Sequence, residues 1–261
     1  MRIIRAFFNG QTKLSRGFDS WLPAEYRRVG IHDYADSLVP KYLDVNQTIY
    51  DLGGGKHPCL SPVEKRRLNA TVIGLDIDRS ELDRAPVGAY DETICADLAV
   101  YRGTQNADRV VCRALLEHVR DVEGAFTAIS SILKPGGIAL IFVPSRNAVF
   151  ARLNLLMPRT LKKNLLRIAY PRSDEEQGFP SYYTRCTPSE FRKMAAASDL
   201  TVVEARYYFT SGYFFFLFPV HVLWRFWILL FRFVRKEQAA ETFAMALIKN
   251  GGIKDGKNAA R

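Results

Sequence analysis

The chain has 261 residues, 48% hydrophobic and 25% charged, a balance that supports a buried core and excludes a disordered or fibrous protein. Thirty-seven Lys and Arg stand against 27 Asp and Glu, a formal net charge of +10. The surface is thereby biased toward anionic partners: nucleic acid, acidic lipid headgroups or phosphorylated metabolites. The four cysteines (Cys59, Cys95, Cys112, Cys186) form no CxxC pair and follow no secretory signal. Neither a disulfide framework nor a zinc knuckle is expected, and the chain reads as cytoplasmic.

Residues 1–44 are polar and dotted with aromatics, and read as a cap ahead of a domain over 45–250. In that domain apolar bursts of strand length alternate with helix-length stretches, the pattern of a doubly wound α/β sheet. The predicted strands are Thr48–Asp51, Thr71–Asp76, Glu92–Ala96, Arg109–Cys112, Ile138–Val143, Thr201–Tyr208 and Thr242–Ile248. The clearest helix, Val122–Leu133, is stopped by Lys134-Pro135-Gly136-Gly137. Crossovers before Pro144 are long enough for parallel pairing. The last two strands have no strand between them and are expected to form an antiparallel edge pair. Residues 251–261, rich in Gly, Lys and Ala, read as a flexible tail.

Asp51-Leu52-Gly53-Gly54-Gly55 puts a carboxylate at the end of the first strand and three glycines in the turn after it. Ligands of open α/β sheets bind at that end, and glycines there let backbone N–H groups approach an anionic portion of the ligand. A pyrophosphate in the turn would be poorly matched to Asp51. S-adenosylmethionine, cationic at its sulfonium and ammonium and carrying a carboxylate, fits better. A glycine turn that only shapes the connection is the plain alternative. Two further acids weigh against it. Asp76 ends the second strand 25 residues after Asp51, where such a site places the acid for the ribose hydroxyls. Asp97 ends the third and is suited to an adenine amino group.

Asp51-Leu-Gly-Gly-Gly55, Gly74-Leu-Asp76, Ala96-Asp97, Leu116-Glu-His-Val119 and Leu133-Lys-Pro-Gly-Gly137 stand in one order over about residues 45–145. In these motifs the chain resembles the class I S-adenosylmethionine-dependent methyltransferases of the Leu-Glu-His-Val type. The resemblance implies a Rossmann-like seven-stranded sheet with its last strand antiparallel and S-adenosyl-L-methionine over the tips of the first and fourth strands. It implies cofactor contacts from Asp51, Gly53, Gly54, Gly55, Asp76, Ile77, Asp97, Leu98 and Arg113. One position departs from the family pattern: His57, followed by Pro58, replaces the last glycine of the loop. The first helix is therefore expected to start late or be distorted.

Methyl transfer from a sulfonium is an in-line displacement that needs alignment and desolvation more than acid or base groups. A hydroxyl acceptor still has to lose a proton, and His118 after the fourth strand is suited to take it near neutral pH. A structural imidazole that fixes the loop is the competing role. Glu117 reads as a holder of the loop or the cofactor. The same segment resembles that of the quinone-biosynthesis O-methyltransferases, where a further Glu helps to bind a divalent metal; here that position is Ala114, and no metal is expected. His57-Pro58-Cys59 offers two soft ligands, too few for a zinc site.

An insertion at 145–187 occupies the place where this fold often builds its acceptor pocket. Its residues 151–173 carry six Lys or Arg and no acid, and Phe179-Pro180-Ser181-Tyr182-Tyr183 adds aromatics to lid the pocket or pack the core. From Tyr213 to Val234, 18 of 22 residues are apolar. As a helix, at about 100° per residue, His221, Arg225, Arg232, Arg235 and Lys236 fall in one stripe roughly 100° wide. Over 213–236 this predicts an amphipathic helix, inserted between the last two strands, lying in a membrane interface with its basic groups toward anionic headgroups. A spanning helix would bury two arginines at about 2.5–3.5 kcal/mol each. Covering the sheet or forming a dimer contact is the soluble alternative.

The expected protein is thus a methyltransferase acting at oxygen on a lipophilic or lipid-linked small acceptor, peripheral on the inner face of the membrane. An RNA methyltransferase and an enzyme of a soluble metabolite are the alternatives. Against RNA, Arg113-Ala-Leu-Leu stands where an Asn-Pro-Pro-Tyr-like segment would lie. A non-enzymatic scaffold is disfavoured by the three acids together.

Overall fold

The computed structural model describes residues 2–157 and 179–251. Its strands are β1 (Thr48–Leu52), β2 (Thr71–Asp76), β3 (Glu92–Cys95), β4 (Ala107–Arg113), β5 (Leu133–Pro144), β6 (Leu200–Tyr208) and β7 (Thr242–Lys249). They form one sheet in the order β3-β2-β1-β4-β5-β7-β6. β7 lies between β5 and β6 and runs antiparallel to both, while the other neighbours pair in parallel. This is the Rossmann-like seven-stranded α/β sheet that the motifs imply. Val110, Val111 and Cys112 of β4 and Ala139 to Val143 of β5 are all buried, because both faces of a central parallel strand are covered.

The helices are α1 (Arg2–Asp19), α2 (Pro62–Leu68), α3 (Arg79–Asp83), α4 (Val122–Ile132), α5 (Val149–Leu156), α6 (Pro188–Ala197) and α7 (Phe218–Arg235), with short helical turns between Ala24 and Tyr42. On one face of the sheet Phe126 of α4, Phe191 of α6 and Phe243 of β7 meet edge to face, at centroid distances of 5.1 and 5.0 Å. On the other, Tyr34 and Leu38 cover Val72, Leu140 and Phe142, and the Tyr34 hydroxyl donates to the Leu140 carbonyl at 2.7 Å.

Two local outcomes follow from the turn residues. α2 begins at Pro62, well after the glycine loop, where Ser61 accepts from the Glu64 N–H at 3.2 Å and the Glu64 carboxylate accepts from the Ser61 N–H at 3.0 Å, a capping box. The late start is the consequence of His57-Pro58. Lys134-Pro-Gly-Gly137 follows the end of α4 at Ile132 and lies within β5. β5 starts at Leu133, directly after α4, and an irregular register between Ala107 and Arg109 accommodates the run, with Gly136 at φ 79°. Such bulges are where glycine and proline enter strands.

The apolar block forms α7, between β6 and β7, and its orientation corrects the expectation for the basic stripe. His221 and Arg225 are fully buried against the protein rather than turned outward. Asp19 of α1 accepts from Arg225 Nε at 2.8 Å and from its Nη2, and lies 2.8 Å from His221 Nε2. The remaining guanidinium hydrogens go to the Phe209 carbonyl (2.8 Å), the Tyr26 carbonyl (3.2 Å) and Thr210 Oγ1 (2.9 Å). Burial opposes the charge of Asp19, but the hydrogen bonds from His221 and Arg225 prevail and hold its carboxyl below the ordinary range. Arg232 pairs with Glu25 at 2.9 Å and lies over the rings of Tyr26 and Phe209. The reason for the reversal is chemical: five guanidinium donors find a carboxylate and loop carbonyls on the protein side. The apolar side faces out, with Leu223 71%, Phe226 63%, Leu230 60% and Phe233 87% exposed. Among the described residues no helix is long and apolar enough to cross a membrane.

Candidate active site

β1 delivers Asp51 to the carboxyl rim of the sheet and the chain turns at once. Gly53 and Gly55 take φ of 67° and 47°, and the Gly53 N–H donates to the Leu75 carbonyl at 2.8 Å. A Cβ on Gly54 would fall 2.1 Å from Asp51 Oδ2 and 2.6 Å from the Tyr90 hydroxyl, so the Asp51 carboxylate can lie against the loop only because no side chain stands there. Asp51 accepts from the Cys59 N–H at 2.7 Å and from the Tyr90 hydroxyl at 3.0 Å. Burial nonetheless raises its carboxyl to about 6. Next along the rim, Asp76 accepts from the Asp78 N–H at 2.9 Å, and burial lifts it as well.

A cavity of about 240 Å³ opens here, with Asp51, Gly53, Gly54, Gly55, Asp76 and Arg113 on its wall. The other expected cofactor positions do not line it. Ile77 points to solvent. Asp97 is exposed and caps its own loop by accepting from the Ala99 N–H at 2.9 Å, and Leu98 is buried in the core. Tyr34, Glu81 and Phe179 also line the cavity. Glu81 stood five residues beyond Asp76 on a short helix, a legible position, whereas nothing local marks Tyr34 or the Asp51 partner Tyr90. A glycine cradle, two buried acids and an arginine match a ligand that is cationic at one end and carries a carboxylate and sugar hydroxyls, so S-adenosylmethionine fits these residues.

A short 3-10 turn, Leu116–His118, follows β4. The Glu117 carbonyl accepts from the N–H groups of Tyr182 (2.7 Å) and Tyr183 (3.0 Å), tying the end of the insertion to this turn. The Glu117 side chain is buried, which raises it to about 8, and its Oε2 has no partner among the described residues. His118 Nδ1 lies 3.1 Å from the Pro180 carbonyl oxygen. A carbonyl only accepts, so the ring proton sits on Nδ1 and Nε2 is left as the basic nitrogen. Burial lowers the His118 pKa below its usual value, keeping the ring neutral at physiological pH. Phe179, edge-on to His118 at 6.5 Å, lines the cavity and links the two halves of the site.

This sheet order and this rim define a class I S-adenosylmethionine-dependent methyltransferase fold. The chain matches a family model described as a methyltransferase domain over residues 24–205, and it belongs to that family of S-adenosylmethionine-dependent methyltransferases. It is similar to the ubiquinone biosynthesis O-methyltransferase of Cupriavidus pinatubonensis, 28% identical over 147 residues, covering 54% of this chain and 55% of that protein. The protein of the same name from Brucella ovis is 29% identical over 166 residues, covering 59% and 60%. The match thus spans little more than half the length of these relatives. Among solved structures, the Mesorhizobium loti S-adenosylmethionine-dependent methyltransferase superposes with a TM-score of 0.52 at 16% identity, over 82% of this chain and 95% of that one. Haemonchus contortus phosphoethanolamine N-methyltransferase 2, in complex with S-adenosyl-L-methionine, gives 0.51 at 13%, over 84% and 52%. Likeness at these identities concerns the fold.

Proposed function

We propose that the chain transfers a methyl group from S-adenosylmethionine to an oxygen of a lipophilic or lipid-linked small acceptor, working as a peripheral protein on the cytoplasmic face of a membrane. The observation that carries the membrane part is the outward apolar face of α7, Leu223, Phe226, Leu230 and Phe233. Its helix is anchored inward by Asp19 and Arg225, so this face has no partner from the described residues of the chain. Isolated exposed apolar residues are ordinary, but a contiguous helical face is not. The oxygen acceptor is supported by the relatives named as ubiquinone biosynthesis O-methyltransferases.

Within the site, Asp51 is placed to face the cationic end of the cofactor, the Gly53 to Gly55 backbone its carboxylate, and Asp76 its ribose hydroxyls. Ile77, Asp97 and Leu98 are assigned to the adenine side of the same rim. When bound, the cofactor supplies an electrophilic sulfonium methyl. His118 takes the proton of the acceptor hydroxyl on Nε2, and Glu117 holds the turn that carries His118. Phe179 excludes water between them.

Incubation with methyl-labelled S-adenosylmethionine and a lysate of the source cells, followed by solvent extraction, tests this. Label is expected in the organic phase and lost with Asp76→Ala. Label confined to the aqueous phase overturns the lipophilic acceptor, and nuclease treatment then separates RNA from a soluble metabolite.

A further inference from the structure

Between α5 and α7 lies a second cavity of about 460 Å³, nearly twice the size of the rim cavity and within the ~300–1,000 Å³ of ligand sites. Val149 and Leu153 form one wall and Phe214, Leu223, Trp224 and Trp227 the other, with Arg152 and Asn147 as its polar members. Its outer end merges with the exposed face of α7 through Leu223. At the other end, Val149 and Trp224 direct their N–H groups at Glu241 Oε1, at 3.4 and 3.3 Å. Glu241 is fully buried, and its Oε2 has no partner among the described residues. It immediately precedes β7, whose Thr242 pairs with Pro144 at the end of β5. The inner end of the groove therefore meets the same strand-end rim as Asp51 and Asp76.

The contacts continue toward the chemistry. Phe150 of α5 stacks on Tyr213 at 4.5 Å. Tyr183 hydrogen-bonds Asn154 of α5 and donates its N–H to Glu117. We propose that this groove is the subsite for a single hydrocarbon chain of the methyl acceptor, tail toward the outer face of α7 and head toward the rim, with Asn147 and Arg152 as the polar side chains on its wall. The assignment rests on the lipophilic-acceptor reading and deepens it. The groove, rather than the outer α7 face, is assigned because it is concave, apolar, of ligand size and ends beside the strand rim.

The chain has three tryptophans, and Trp21→Phe leaves Trp224 and Trp227, both on the groove. Quenching of their fluorescence by the neutral probe 12-bromo-1-dodecanol, below its self-association concentration, is expected to saturate at one probe per chain. Leu153→Glu, at a half-exposed wall position, is expected to weaken binding by about ten-fold or more, as a charge beside an apolar chain requires. Leu153→Phe, which fills the groove without charge, acts in the same direction. Phe233→Glu, on the outer face but off the groove, leaves it unchanged. Quenching that rises without saturation, or that responds to Phe233→Glu as much as to Leu153→Glu, overturns the subsite. In the extraction assay Leu153→Glu should lose organic label at unchanged cofactor affinity. Organic label that survives the substitution means the groove holds bulk lipid, which sinks this assignment and leaves the lipophilic-acceptor reading intact. Absence of organic label from the parent protein refutes the reading itself.

Discussion

Asp51 shows how a single carboxyl is tuned by where the fold puts it. It accepts two good hydrogen bonds, yet burial dominates and moves it to about 6. A cationic ligand end needs the ionised form. Below pH 6 the protonated carboxyl has to give up its proton before binding, so cofactor affinity is expected to be flat above pH 7 and to fall about ten-fold per pH unit below 6. Calorimetric titration between pH 5 and 8 measures this, and Asp51→Asn should bind weakly with no such slope. The sequence marked Asp51, Asp76 and the glycines, because a carboxylate at a strand end followed by glycine is a local pattern. Tyr90, 39 residues from Asp51, and Tyr34, in the leading cap, had no such signature. Their roles come from chain crossings that bring distant residues to one wall. Asp97 occupies an equally recognisable strand end, where one carboxyl oxygen accepts from the Ala99 N–H.

Among the elements, α1 and α7 depend on each other through one buried cluster. Removing Asp19 leaves the guanidinium of Arg225 buried without its carboxylate, a loss of about 3–5 kcal/mol. Asp19→Ala is accordingly expected to lower the urea midpoint sharply with an unchanged sheet by circular dichroism, and Arg225→Met in the same chain should recover part of the loss. The periodicity of α7 was legible, since its charges recur on one stripe. Which stripe faces the protein was not, because a helical wheel contains no information about the acid on another helix some 200 residues away. Lys134-Pro-Gly-Gly137 is the same lesson in a strand: the run stops α4 as its residues require, but pairing with β4 decides that it becomes a bulge of β5.

At the scale of the whole molecule, the proposed membrane docking predicts separable contributions from the net charge of +10 and the apolar face of α7. Arg225 and Arg232 are engaged internally, so the apolar face is expected to carry the larger share, at roughly 25 cal/mol per Å² buried. Phe226→Glu with Leu230→Glu is expected to abolish co-sedimentation with anionic phosphatidylglycerol vesicles while cofactor binding persists, and added salt should weaken the parent only modestly. The strand alternation, the parallel half of the sheet and the acid–glycine rim were determined by the sequence itself, because each follows from residue types within a few positions of one another. The polarity of α7, the partners of Asp51 and the groove beneath Glu241 were decided only by the tertiary structure. Each depends on groups far apart in the chain, brought together by burial whose energetics local patterns do not contain.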